Sequence, residues 1–120
     1  MLEAITAMAS VIGDPYLLML IAITTVLGIV IGVLPGLGAT TGAALLLPFT
    51  LTMSPVNAIA VLATLYVSAT FAGSITAILI NTPGTSAAAA TTFDGFPLAQ
   101  RGEAGRALGI AVVSGTIGGI

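Results

Sequence analysis

Residues 15–41 read PYLLMLIAITTVLGIVIGVLPGLGATT, and the fold turns on this stretch. From Tyr16 to Leu34 every residue is uncharged, about 28 Å of helix at 1.5 Å per residue, close to the thickness of a bilayer's hydrocarbon core. Asp14-Pro15 supplies the start, an N-cap followed by proline at the first helical position, where a missing N–H costs nothing. Pro35-Gly36-Leu37-Gly38 supplies the end, because proline removes a backbone hydrogen bond and two glycines free the main chain. The next apolar stretch, Ala39 to Met53, is short for a crossing and carries Pro48. It reads as a tilted, kinked span or as one arm of a re-entrant hairpin.

Working outward, no Asp, Glu, Lys, Arg or His occurs from residue 15 to residue 93. The whole chain of 120 residues is 58% apolar and 5% charged, with a mean hydropathy of +1.22. Soluble domains hold roughly 25% charged residues, so the chain belongs in a membrane. A net charge of −2 with only two basic residues excludes nucleic-acid binding, which needs clustered Lys and Arg. The absence of Cys and His removes disulfides, thiol catalysis and most transition-metal chemistry. The acidic start has no basic region of the kind a secretory signal carries. At the other end, Arg106 to Ile120 reads as the opening of a further apolar helix, which marks the chain as a piece of a longer one.

Residues 1–13 place Leu2, Ile5, Met8 and Ile12 at helical spacing, an amphipathic segment expected to lie in the interface. Ser54-Pro55 restarts a helix by the logic of Asp14-Pro15, and the pattern carries that helix to about Ala72. After Gly73-Ser74, two apolar arms too short to cross, Ile75–Ile80 and Ala87–Phe93, flank the polar tip Asn81-Thr82-Pro83-Gly84-Thr85-Ser86. This is the pattern of a re-entrant hairpin, closed by a turn at Asp94-Gly95-Phe96-Pro97. Residues 98–106 hold three of the charged groups and form a surface loop, placed on the cytoplasmic side by its two arginines. The expected class is an all-α integral membrane fold with discontinuous helices and a re-entrant hairpin.

The two breaks share a grammar. Pro35-Gly36-Leu37-Gly38-Ala39-Thr40-Thr41 and Pro83-Gly84-Thr85-Ser86 each put Pro-Gly ahead of small hydroxyl residues that open a new helix. Such an opening leaves unpaired N–H groups and about half a positive charge, a site for an anion that needs no buried arginine. Carbonyls unwound beside the second tip, with the Asn81 amide and the Thr82 hydroxyl, offer oxygens to a hard cation such as Na⁺. A plainer reading stands beside each. Asn81 and Thr82 can simply cap the hairpin, Thr40 and Thr41 can cap their helix, and Gly28 and Gly32 can serve helix packing. For Asp94, a turn or capping role weighs against a coupling-ion role.

Enzyme readings fail on chemistry. Gly36-x-Gly38-x-x-x-Gly42 lacks the acid that a dinucleotide loop needs about 20 residues on. No lysine follows a glycine-rich loop to make a nucleotide cradle. The hydroxyls have no His, Lys or Cys to activate them, so no catalytic residues are assigned.

Three ordered motifs resemble the large membrane subunit of the tripartite tricarboxylate transporter family, the TctA type. They are GIVIGVLPGLG at residues 28–38, Leu47-Pro48-Phe49-Thr50 with Met53-Ser54-Pro55, and GSITAILINTPGTSAAAATTFDGFPLAQRGEAGRALG at residues 73–109. The resemblance implies a multi-pass protein of the bacterial inner (plasma) membrane, driven by a coupling Na⁺ or H⁺ gradient and needing no other cofactor. A periplasmic solute-binding protein delivers tricarboxylates or related carboxylates to it, and a small membrane subunit accompanies it. Members of the family are several times longer and built as two related halves, so residues 14–120 correspond to the start of one half of an inverted-repeat transporter. Substrate contacts then fall on Pro35, Gly36, Leu37, Gly38, Thr40, Thr41, Pro83, Gly84, Thr85 and Ser86, and ion contacts on Asn81 and Thr82. The competing readings are a passive, channel-like oligomer and a truncated fragment that does not transport.

Overall fold

A computed structural model describes all 120 residues as helices joined by tight turns. Helix α1 (Leu2–Ile12) carries no buried residue. Helix α2 (Pro15–Val33) opens as the sequence implies, with the Asp14 carboxylate accepting from the Tyr16 N–H at 3.0 Å. It stops two residues before Pro35. Helix α3 (Gly38–Thr50) follows, and Pro48 lies inside it rather than ending it. Helix α4 (Pro55–Ile80) is capped by the Ser54 hydroxyl, which accepts from the Asn57 N–H at 3.4 Å. A single 3-10 turn (Ser86–Ala88), α5 (Thr91–Gln100) and α6 (Ala104–Gly118) complete the chain.

Two boundaries differ from expectation. The helix expected to end near Ala72 continues without a break to Ile80, so Ile75–Ile80 is the last part of α4 and not a separate hairpin arm. Packing explains it. Gly73 is held between neighbours, and a Cβ there would come within 2.6 Å of the Thr85 hydroxyl oxygen. Likewise, Asp94-Gly95-Phe96-Pro97 is helical within α5 and not a turn. Gly95 lets α5 press on α4, since a Cβ there would come within 2.6 Å of the Ile78 side chain, and this contact overrides the local turn signal. The turn falls instead at residues 101–103.

Helix α4 is the axis of the molecule. Its buried residues Val61, Leu65, Ser68, Ala69, Ala72, Thr76 and Ala77 recur at three- and four-residue intervals, and α2, α3, α5 and α6 all pack on it. The tightest seam is with α2. A Cβ on Gly28 would lie 3.0 Å from the Leu65 carbonyl oxygen, and one on Gly32 would lie 2.7 Å from the Ala69 Cα. Only a glycine strip permits that approach, which bears out its reading as a packing surface.

Only 21 of 120 residues are buried, and large apolar side chains such as Leu18, Met19, Val26, Val30, Ile59 and Val67 point outward. A water-soluble protein would not expose so continuous an apolar surface. Helices α2 and α4 are each long and apolar enough to cross a membrane. Several of their hydroxyls are satisfied locally: Thr24 donates to the Leu20 carbonyl and Thr25 to that of Ile21, both at 2.7 Å, and Ser68 donates to that of Thr64 at 2.6 Å.

The seam predicts a graded response to substitution. Gly32→Ala puts a methyl group into the α4 backbone and should cost about 1–3 kcal/mol by overpacking, read as a lower unfolding midpoint of the purified protein in detergent. Gly109 has open space around it, so Gly109→Ala should leave the midpoint unchanged or raise it slightly. Equal midpoints for the two variants would show that the seam is absent.

Candidate functional site

The first tip forms because α2 cannot pass Pro35. The chain turns through residues 34–37, with Gly36 at φ 93° and Gly38 at φ 64°. Side chains with a Cβ rarely adopt these angles, so glycine at both positions has a conformational cause. Helix α3 starts at once, and its first turn is unpaired. The N–H groups of Gly36, Gly38, Ala39 and Thr40 have no acceptor within the chain.

The second tip begins at the end of α4. Asn81 takes the left-handed conformation at φ 57°, and the N–H groups of Asn81 and Thr82 both return to the Thr76 carbonyl, which closes the helix end. The chain then doubles back along α4. The Gly84 N–H donates to the Gly73 carbonyl at 3.2 Å, about two turns, or roughly 10 Å, below the helix end. Gly84 fits there because it has no side chain. A Cβ would strike the Gly32 carbonyl oxygen and lie 3.0 Å from the Gly73 Cα. Beyond it the N–H groups of Thr85, Ser86 and Ala87 are again without acceptors.

The two tips, far apart in sequence, meet in space. Gly36, Gly38, Pro83, Gly84, Thr85 and Ser86 line one cavity of about 280 Å³, whose only apolar side chain is the Pro83 ring. That volume is near the lower end for small-molecule sites. Thr85 is 8% exposed, and its hydroxyl has no hydrogen-bond partner. A buried hydroxyl left unpaired is costly, and natural structures keep few of them.

Six of the ten residues expected to contact substrate therefore line one cavity. Pro35, Leu37, Thr40 and Thr41 do not line it and are exposed, although the free amide of Thr40 belongs to the helix start beside it. Asn81 and Thr82 lie outside the lining, and the structure gives both a capping task; the Thr82 hydroxyl donates to the Ile80 carbonyl at 3.3 Å. Sequence reasoning missed Gly73, the seat of Thr85. The Gly-Ser pair there was read as a helix break, and nothing local distinguishes a break from a packing notch.

No charged side chain lines the cavity. The only ion pair, Arg106 to Glu103 at 3.7 Å, lies one turn apart in exposed surface on the α5–α6 side. The unpaired amides of the lining residues Gly36, Gly38, Thr85 and Ser86 give the cavity partial positive charge. Such an arrangement can accept a hydrogen-bonded oxygen of an anion and does little for a cation.

An uncharacterized 52.8 kDa protein in the TAR-I ttuC' 3' region of Agrobacterium vitis is 47% identical over 93 residues, 78% of this chain and 18% of that protein. The chain thus spans about a fifth of the length of the relative it matches. No solved structure matches. The sequence profile of the tripartite tricarboxylate transporter TctA family fits residues 18–120, the two apolar helices and both tips included, and the chain belongs to that transporter family.

Proposed function

We propose that this chain is part of the membrane subunit of a secondary transporter that takes up tricarboxylates or related carboxylates, and that the cavity between the two tips binds a carboxylate group of the substrate. The convergence of both Pro-Gly tips on one cavity, with unpaired amides and the unpaired Thr85 hydroxyl around it, carries the reading. Helix starts that point at anionic substrate are the device of transporters with broken helices. On this reading the second tip is re-entrant, since it doubles back beside α4, and the break between α2 and α3 lies at membrane depth.

Family membership supports the remaining parts: a solute-binding protein that presents substrate in the periplasm, a small membrane subunit, and a multi-pass location in the bacterial inner membrane. An ion gradient drives uptake, because amide dipoles offset only part of a multiply charged solute and a co-bound cation offsets the rest. Gly36, Gly38 and Gly84 admit the ligand to the backbone. Thr85 and Ser86 donate hydroxyls to it, and Pro35, Leu37, Thr40 and Thr41 shape the first tip. Asn81 and Thr82 act through the cap that sets the second.

Thr85→Val separates function from stability in sign. Removing a buried hydroxyl that has no partner should raise the unfolding midpoint, while loss of a hydrogen bond to a charged ligand should lower uptake by about 10- to 100-fold. Thr85→Ser should restore uptake in the complete transporter reconstituted with its solute-binding protein. Uptake that is indifferent to Thr85→Val would remove the cavity from the mechanism.

Transport also predicts a kinetic form. Labelled carboxylate uptake should saturate with substrate and stop when an ionophore collapses the cation gradient. Linear flux that survives the ionophore would instead identify a passive pore.

A further inference from the structure

A second cavity, on the opposite side of α4's C-terminal half, has different chemistry. It measures about 260 Å³ and lies among α4, α5 and α6, where Ser74, Thr91, Asp94 and Ser114 supply its oxygens. Asp94 is the first carboxylate after Asp14 and forms no ion pair. The arginines and Glu103 lie in and beside the α5–α6 turn and do not line the cavity. The Ser74 and Thr91 hydroxyls donate to no acceptor in the chain, and the Ser114 hydroxyl donates to the Ile110 carbonyl at 2.7 Å and keeps its lone pairs free.

We infer that this cavity is a binding site for a monovalent hard cation, Na⁺, with the Asp94 carboxylate as its charged ligand and the hydroxyls of Ser74, Thr91 and Ser114 as neutral ones. Hard cations take oxygen ligands, and three helices converge to provide them. Asp94 is exposed and neutralises one positive charge; no second acid lines the cavity, so a divalent ion would keep an excess charge there. An acid in the first turn of α5 also favours that helix's dipole. The dipole by itself calls for no hydroxyls from α4 and α6.

The site deepens the transport reading, on which its purpose as the coupling site rests. Adjacent residues of α4 serve the two cavities: the Gly73 carbonyl holds Gly84 and its bare Cα seats Thr85, while Ser74 lines the cation cavity. A cation that fixes Ser74 thereby fixes the wall on which the second tip rests.

The test needs no carboxylate. The complete membrane subunit, purified in detergent, is unfolded by heat in NaCl and in choline chloride at equal ionic strength. The unfolding midpoint should rise with Na⁺, and Asp94→Asn should abolish the rise, apart from a small drop of the midpoint in both salts from the lost charge at the start of α5. Ser74→Ala and Thr91→Ala should each increase the Na⁺ needed for a half-maximal rise by about three- to tenfold. If Asp94→Asn does not fold, the Ser74→Ala/Thr91→Ala double variant decides by the same readout. A wild-type protein indifferent to Na⁺, or an Asp94→Asn variant with an undiminished rise, overturns the assignment. A Na⁺-dependent rise in a protein that carries no carboxylate would sink the transport reading and leave the cation site standing.

Discussion

The structure depends on one close approach, that of three backbones where Gly32 of α2, Gly73 of α4 and Gly84 of the second tip come together. Gly32 rests on the Ala69 backbone, Gly84 rests against the Gly32 carbonyl and the Gly73 Cα, and Thr85 fills the notch that Gly73 leaves. Each contact requires the one before it. Were α2 held off α4 by a single methyl group, the Gly32 carbonyl would move and the second tip would lose its floor. In a bilayer, where water does not drive helices together, such close van der Waals packing is a main source of association. Glycine thus acts here as a positional element. It brings a loop from residues 81–86 to a helix start at residue 38, which no local interaction could do.

From that placement the electrostatics follow. A membrane protein that handles anions can bury arginine, or it can use the unpaired ends of its own backbone. This chain has no basic residue before Arg101, and the carboxylate site proposed for it relies on the second course. The amides of Gly36, Gly38, Thr85 and Ser86 have no acceptor in the chain, and all four residues line one cavity. Partial charges suit a site that must release what it binds. They hold a carboxylate with directed hydrogen bonds and without the deep well of a buried ion pair, whose formation and rupture both carry large desolvation terms.

Much of this was legible in the sequence. Asp14-Pro15 and Ser54-Pro55 marked two helix starts correctly because cap and proline chemistry is local, and Pro35-Gly36 marked the end of α2 for the same reason. The shared Pro-Gly grammar of the two tips anticipated six of the cavity's residues. What failed was non-local. Gly73-Ser74 and Asp94-Gly95 carry turn signals, yet both are helical because glycine there receives a neighbour, Thr85 in one case and Ile78 in the other. Thr40 and Thr41 shared the motif's spacing, but the turn of α3 carries their side chains away from the lining. A linear pattern records which residues can open a helix and leaves unstated which face of it will meet a partner.

The placement of Asp94 extends the same lesson. Read locally, it is an acid in a Gly-Phe-Pro turn; read in the fold, it is a lone carboxylate among hydroxyls from three helices. The two cavities divide the chemistry by charge. Backbone donors and a hydroxyl meet at one, carboxylate and hydroxyl acceptors at the other, and Gly73 and Ser74 join them through a single turn of α4. On the proposed transport reading, a multiply charged anion and a cation bound near each other would reduce the net charge that must be moved through a low-dielectric medium, where an unpaired ion is expensive.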